Sequence, residues 1–165
     1  MLNHDIVIVG GGPAGMAAAI AAYDAGVTDV VILDREPDMG GILRQCIHAG
    51  FGLHRLGREL TGPEYADVFK QQVLERNIKV FYESTVTAVS PEKVVTAQSR
   101  EGILKIQAKA VVLAMGCRER SRGALNTPAH ALQASSAPVL PRSSSTAKAI
   151  WSVRRWSFWV PAILA

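Results

Sequence analysis

The chain has 165 residues, of which 48% are hydrophobic, and this is enough for one packed domain. Its net charge of +4 does not indicate nucleic-acid binding, because the excess basic residues all lie after residue 126. Two cysteines, Cys46 and Cys117, are too few for a disulfide framework and fit no zinc spacing. No apolar run reaches the roughly 18 residues of a membrane span, and no basic leader precedes the first predicted strand, so we expect a cytoplasmic protein.

The first part of the chain predicts a strand, a glycine-rich turn, a helix and a second strand. Residues 6–9 are an unbroken β-branched apolar run, which is typical of a parallel strand buried on both faces. Residues 16–25 are rich in alanine and predict a helix that Gly26 closes. Residues 30–33 predict the second strand, which ends at Asp34. This is a βαβ unit of about 30 residues.

The following part predicts a loop-rich stretch over 37–62 and a helix that begins at Thr61-Gly62-Pro63-Glu64 and ends near residue 77. Further strands are predicted over 79–82, 85–89, 93–98, 104–107 and 110–114. Of these, the strands over 85–107 predict a small antiparallel meander, and the first and last predict parallel strands.

The turn before the first helix carries the pattern Gly-x-Gly-x-x-Gly at Gly10, Gly12 and Gly15. Gly10 permits the tight turn, Gly12 lets a pyrophosphate approach the backbone, and Gly15 allows close packing of helix on strand. The helix N-terminus then directs its free N–H groups at the phosphates. Asp34 is placed to accept hydrogen bonds from ribose hydroxyls and to repel a 2′-phosphate. The pattern therefore predicts a site for a dinucleotide without that phosphate.

Two further features resemble one family of flavoproteins. The pair Gly40-Gly41 follows the second strand, and the last predicted strand ends in Ala114-Met115-Gly116. Both resemble the two-dinucleotide-binding-domain flavoproteins, which include the pyridine nucleotide-disulfide oxidoreductases, with Met115 where the family usually has Thr. The resemblance extends over residues 4–126 and implies that the dinucleotide is FAD. The FAD-binding residues we expect are Gly10, Gly12, Pro13, Ala14, Gly15, Asp34, Arg35, Gly41, Val86, Ala114 and Gly116.

Disulfide reductases of this family have a Cys-x4-Cys pair after the Gly-Gly, whereas this chain has Cys46 alone, with Phe51 at the second position. The sequence therefore assigns no catalytic residue. Cys46 and His48 are candidates near the flavin, and the alternatives are a structural cysteine and a loop histidine that is merely hydrogen-bonded. Arg118 and Arg120 are candidates for contact with phosphate or reduced flavin, or are surface charges.

The segments around Cys46, Pro63 and Cys117 narrow the resemblance to one bacterial subgroup. It includes oxidoreductases found beside glycerol-3-phosphate dehydrogenases and subunits of sarcosine, opine and hydrogen cyanide-forming oxidases. The resemblance implies an FAD-dependent oxidoreductase that acts on a small molecule and exchanges electrons with NAD(P)H or with a partner dehydrogenase or electron-transfer subunit. The alternatives are an inactive truncated fragment, a flavin-binding electron-transfer subunit without its own substrate site, and a Rossmann enzyme that uses NAD alone.

Residues 127–165 differ in composition from the rest, since they hold all three tryptophans but no glycine and no acidic residue. In one shifted reading frame, Phe158-Trp159-Val160 necessarily encodes Leu-Gly, and residues 156–165 admit a strand followed by a second Gly-x-Gly-x-x-Gly. We predict that this tail is an out-of-frame translation and not a native domain. The alternatives are a coincidence of degenerate codons and a membrane-surface anchor made by its aromatic residues with Arg154 and Arg155.

The predicted architecture is thus an α/β, Rossmann-like FAD-binding domain over 1–126, with a parallel sheet and a small antiparallel meander. No metal site and no membrane span are expected. The resemblance implies that the segment closing the FAD site follows an NAD domain. Because this chain carries neither part, we expect it to retain FAD weakly.

Overall fold

Eight strands and three helices make up the part of the chain that the structure, a computed structural model, describes, which is residues 1–117. The strands are β1 (Leu2–Val9), β2 (Val30–Leu33), β3 (Ala49–Phe51), β4 (Leu60–Thr61), β5 (Lys79–Phe81), β6 (Thr85–Val89), β7 (Val94–Ser99) and β8 (Gly102–Leu113). The helices are α1 (Pro13–Asp24), α2 (Leu53–Leu56) and α3 (Gly62–Glu75), and a short 3₁₀ helix spans Gly41–Gln45. The predicted α/β class is confirmed.

Six of the strands form one sheet in the order β5-β2-β1-β8-β7-β6. Strands β5, β2, β1 and β8 are parallel, while β8, β7 and β6 are antiparallel. From β1 the chain passes to β2 on one side and later returns to β8 on the other side. The carboxyl ends of these three strands therefore meet where the strand order reverses, which is where open α/β sheets bind ligands.

Different layers cover the two faces of the parallel strands, because alternate residues of a strand point to opposite faces. Ile8 and Ile32 are fully buried in a core that they share with α1 and α3. Val7 and Val31 are fully buried in a second core that contains Val95 of β7 and residues of β8. Burial on both faces explains the unbroken apolar character of these strands, as the sequence predicts.

The end of the meander differs from the sequence prediction. Two separate strands over 104–107 and 110–114 are expected, but β8 runs without a break from Gly102 to Leu113. No glycine or proline interrupts residues 103–113, and the pairing partner changes from β7 to β1 near Gln107. The meander is therefore part of the main sheet and not a separate one.

The loop-rich segment over 37–62 contains the 3₁₀ helix, α2 and a two-stranded antiparallel pair of β3 and β4. At its end, α3 begins where the sequence predicts. The Glu64 side chain accepts hydrogen bonds from the Thr61 N–H at 2.8 Å and from the Thr61 hydroxyl at 2.7 Å, which closes the helix start. These bonds hold the pKa of Glu64 below its ordinary value.

Residues Met1–Gly116 form one compact unit. The predicted domain boundary after residue 126, the predicted out-of-frame tail over 127–165, and Arg118 and Arg120 lie outside the described residues and stay predictions. Within residues 1–117, no helix is both long enough and apolar enough to cross a membrane.

Candidate functional site

The glycine-rich turn lies at the carboxyl end of β1, where the strand order reverses. Gly10 has a φ of +107°, and a Cβ added there would lie 2.4 Å from the carbonyl oxygen of Ala114. A Cβ added at Gly15 would lie 1.8 Å from the carbonyl oxygen of Gly10. The tight turn and the close helix packing that the pattern predicts are therefore present, and side chains are excluded at both positions.

Gly12 is different, because a Cβ added there would meet nothing within 4 Å. Its φ of −74° is also one that any residue adopts. The fold itself therefore does not require glycine here, and the position faces open space. Helix α1 begins at the next residue, Pro13, and has no acidic side chain in its first turn. Its first N–H groups and partial positive charge are not offset by an acidic side chain of that turn.

Asp34 lies directly after β2 and is only 6% exposed. Its Oδ2 accepts a hydrogen bond from the Gly11 N–H at 2.7 Å, and its Oδ1 accepts one from the Glu36 N–H at 3.0 Å. An ionised carboxylate has about four lone-pair sites, so it retains acceptor capacity for a ligand hydroxyl. Asp34 thus has a second role in shaping the turn, which the sequence does not predict.

Gly11 is a site residue that sequence reasoning missed, whereas Gly40 belongs to the Gly-Gly pair that the sequence singles out. A Cβ at Gly11 would lie 2.5 Å from Oδ2 of Asp34, so glycine permits the carboxylate to approach the turn. The Gly40 N–H donates to the Gly11 carbonyl oxygen at 2.9 Å. A Cβ at Gly41 would lie 3.1 Å from Cα of Gly12. The Gly-Gly pair therefore packs directly on the turn, and three consecutive glycines were the available signal for Gly11.

The other predicted cofactor residues lie in different settings, and only some of them are beside this turn. The Ala114 N–H donates to the carbonyl oxygen of Val9 at 2.8 Å, which places the end of β8 beside the turn, and Gly116 follows with a φ of +74°. Arg35 is exposed and lies 3.4 Å from the carboxylate of Glu36.

Pro13 and Ala14 form the first turn of α1. Val86 lies on the edge strand β6 and is half-buried against the second core. Two residues earlier, the Ser84 N–H donates to the Asp34 carbonyl oxygen at 2.8 Å, which holds the chain beside the end of β2. From there the chain leads away from β2 to Val86.

The two candidate catalytic residues lie in the segment after the Gly-Gly pair. Cys46 is half-buried, and its thiol donates to the carbonyl oxygen of Ile42 at 3.4 Å. A Cβ at Gly62 would lie 2.8 Å from Cβ of Cys46, so this cysteine packs against the start of α3. His48 is exposed, with Nδ1 3.0 Å from the Ala49 carbonyl oxygen and its ring 5.2 Å from that of Phe51. These contacts place neither residue at the glycine-rich turn.

Comparison with known proteins agrees with the geometry. The family model for pyridine nucleotide-disulphide oxidoreductases matches residues 4–138. The chain belongs to this family. The predicted resemblance to this family is thereby confirmed.

Two curated relatives of this family member are oxidase or synthase subunits. Hydrogen cyanide synthase subunit HcnB of Pseudomonas protegens is 33% identical over 121 residues, covering 70% of this chain and 25% of the relative. Sarcosine oxidase subunit alpha of Corynebacterium sp. is 32% identical over 131 residues, which cover 72% of this chain and 13% of the relative. The solved thioredoxin reductase of Gloeobacter violaceus has a TM-score of 0.57 and 29% identity, covering 73% of this chain and 37% of that one. The chain thus spans only 13–37% of these proteins.

Proposed function

We propose that residues 1–117 bind the ADP part of FAD at the glycine-rich turn. The protein would use this bound cofactor to act as an oxidoreductase. The observation that carries the proposal is the contrast among the glycines. Packing within the fold excludes a side chain at Gly10 and Gly15, whereas Gly12 faces open space at the start of α1. A glycine that the fold does not need is accounted for by a ligand that approaches the backbone there.

The described residues fit this group. The first N–H groups of α1, from Ala14 onward, are placed to bind pyrophosphate oxygens, since no acid of that turn competes with an anion. The carboxylate of Asp34 is held by two backbone N–H groups and retains lone pairs that would accept hydrogen bonds from ribose hydroxyls. When bound, FAD supplies the electron transfer, and the chain's own residues bind and orient it.

FAD rather than NAD is supported by two features that meet at the turn. The pair Gly40-Gly41 packs on Gly11 and Gly12, and Ala114, directly after β8, packs on Gly10. Both features resemble those of the two-dinucleotide-binding-domain flavoproteins, and the family model that matches the chain is that of the pyridine nucleotide-disulphide oxidoreductases. Arg35, Val86 and Gly116 complete the proposed cofactor-binding residues, and Cys46 and His48 remain candidates for catalysis.

The test is a calorimetric titration of the purified chain with ADP, with 2′-phospho-ADP and with FAD. We expect one ADP per chain and much weaker binding of 2′-phospho-ADP, because the Asp34 carboxylate repels the added phosphate. We expect FAD to bind with quenching of its flavin fluorescence, and we expect the nicotinamide half of NAD not to bind. This pair of results would distinguish a site for FAD from a site for NAD. Equal binding of ADP and 2′-phospho-ADP, or of neither, would refute the proposal.

For the whole oxidoreductase, we propose that electrons pass between the flavin, a small-molecule substrate and either NAD(P)H or a partner subunit. A partner is supported by the two relatives that are named as subunits. The test is anaerobic reduction, by NADH or NADPH, of the flavin in the FAD-loaded protein. Reduction without any other protein supports direct electron transfer between NAD(P)H and the flavin. Reduction only with an added dehydrogenase or electron carrier supports the hypothesis that the protein is a subunit that works with a partner.

A further inference from the structure

Asp38, in the loop after β2 and outside the glycine-rich turn, forms an ion pair with α3 and also contacts the 3₁₀ helix. Its Oδ1 lies 2.5 Å from Nζ of Lys70 on α3 and accepts a hydrogen bond from the Met39 N–H at 2.9 Å. A guanidinium nitrogen of Arg44, on the 3₁₀ helix, donates to the Asp38 carbonyl oxygen at 3.4 Å. The side chains of Asp38 and Lys70 are 34% and 26% exposed, so the pair is partly shielded from water.

The residues that follow Asp38 lie directly on the proposed cofactor turn. Met39 is 1% exposed, and the Gly40 N–H donates to the Gly11 carbonyl oxygen at 2.9 Å. Gly40 and Gly41 have φ values of +120° and +52°, and glycine by itself imposes no such conformation. The order of this pair must therefore come from the contacts on either side of it, which include the buried Met39 and the charged side chains of Asp38 and Arg44.

The charges around Asp38 favour a persistent pair. Partial burial opposes its ionisation, but the hydrogen bond from Lys70 and the charges of Lys70 and Arg44 outweigh it and hold the Asp38 pKa below its ordinary value. The hydrogen bond to Asp38 in turn raises the pKa of Lys70, with a smaller contribution from Asp67. Burial, and then the charge of Asp38, raise the pKa of Tyr82 at the end of β5. Asp38 and Lys70 are thus both charged at neutral pH.

We propose that the Asp38–Lys70 ion pair positions Gly40 and Gly41 against the glycine-rich turn and thereby sets the affinity of the site for ADP. The inference rests on the proposed FAD site. Neither side chain is assigned a contact with the ligand, so both are positioning residues. Without the pair, ligand binding must order a flexible Gly-Gly segment, and the entropy lost in doing so weakens the affinity.

The test compares ADP affinity in Asp38→Asn and Lys70→Met, alone and combined. We expect the Kd to rise about tenfold in each single variant and little further in the double variant, because both remove the same interaction. Lys70→Arg retains the charge and is expected to restore most of the affinity. The matched control is Asp24→Asn, which breaks the 2.8 Å ion pair between Asp24, the last residue of α1, and Arg76, the residue after α3. Its Kd for ADP is expected to be unchanged.

A second measurement separates positioning from general stability and needs no cofactor. Amide hydrogen exchange at Gly40 is expected to accelerate about tenfold in Asp38→Asn without ligand, and to stay unchanged in Asp24→Asn. Equal acceleration in both variants overturns the inference, as does a Kd for ADP that Asp38→Asn leaves unaltered. If the unaltered chain binds no ADP, the proposed FAD site fails and the inference fails with it.

Discussion

The carboxylate of Asp34 lies 2.7 Å from the backbone nitrogen of Gly11, so the residue that we propose to bind the ribose also holds the glycine-rich turn. The close approach is possible only because Gly11 lacks a side chain, since a Cβ there would lie 2.5 Å from the same oxygen. The free position at Gly12 comes directly after it. Gly11 thus serves the fold, whereas no packing contact requires a glycine at Gly12.

Alanine substitutions at these two glycines are expected to separate folding from binding. Gly11→Ala forces a methyl group against the buried Asp34 and Met39, and we expect it to lower the free energy of unfolding by about 1–3 kcal/mol. In Gly12→Ala the added methyl group meets no atom within 4 Å, so we expect the free energy of unfolding to change by less than about 0.5 kcal/mol. The same Gly12→Ala variant is expected to weaken ADP binding by more than about tenfold.

Urea denaturation and calorimetry with ADP measure the two effects. A Gly12→Ala variant that binds ADP as tightly as the unaltered chain would remove the main support for the proposed site. A Gly11→Ala variant of unchanged stability would show instead that the turn shifts freely away from Asp34.

Asp34→Asn is expected to destabilise the fold although it preserves the shape of the side chain. Both carboxylate oxygens accept backbone N–H groups, those of Gly11 and Glu36, whereas an amide has only one oxygen. One buried N–H therefore loses its partner, at a cost of about 1–3 kcal/mol. Urea denaturation measures the loss, with the exposed Glu101→Gln as a control that is expected to be neutral. Equal stabilities of the two variants would contradict the second role of Asp34.

Glu64 predicts a pH dependence of stability with a defined sign. Hydrogen bonds from the Thr61 side chain and backbone hold its pKa in the folded chain below the ordinary value of 4.5. A lowered carboxyl pKa contributes stability above the ordinary value, and this contribution is lost as pH falls through the folded value. Glu64→Gln is therefore expected to be less stable than the unaltered chain at pH 7, and the difference is expected to vanish under acid conditions.

Urea midpoints measured across this pH range provide the check. Glu75→Gln is the matched control, because Glu75 lies in the last turn of the same helix and has no role in closing its start. A Glu64→Gln deficit that persists unchanged at low pH would mean that the carboxylate charge does not carry the effect.

The tail over 127–165 leads to a prediction about the gene. Read in the shifted frame beyond about codon 126, the coding DNA is expected to stay open and to encode a second Gly-x-Gly-x-x-Gly at codons 156–165. DNA sequencing of this region is the measurement. A stop codon in the shifted frame, or the absence of that motif, would refute the out-of-frame origin.

The sequence by itself determined the βαβ unit and the position of its turn. Strand 30–33 and the start of α3 agree with the structure because apolar periodicity, proline and glycine act on the local backbone. The glycines at positions 10, 12 and 15 and Asp34 were recognisable for the same reason, since their spacing reflects one strand–turn–helix geometry.

Only the tertiary structure decided how the separate segments meet. Two contacts join residues that are distant in sequence: the hydrogen bond from Gly40 to Gly11 and the ion pair of Asp38 with Lys70. The unbroken β8 likewise pairs with β1, which is distant in sequence. No local period marks such contacts, because they depend on which layers pack together after the strands pair. Packing distances also distinguish the glycines that the fold requires from Gly12. At Gly12, at the start of α1, an added Cβ would meet no atom within 4 Å.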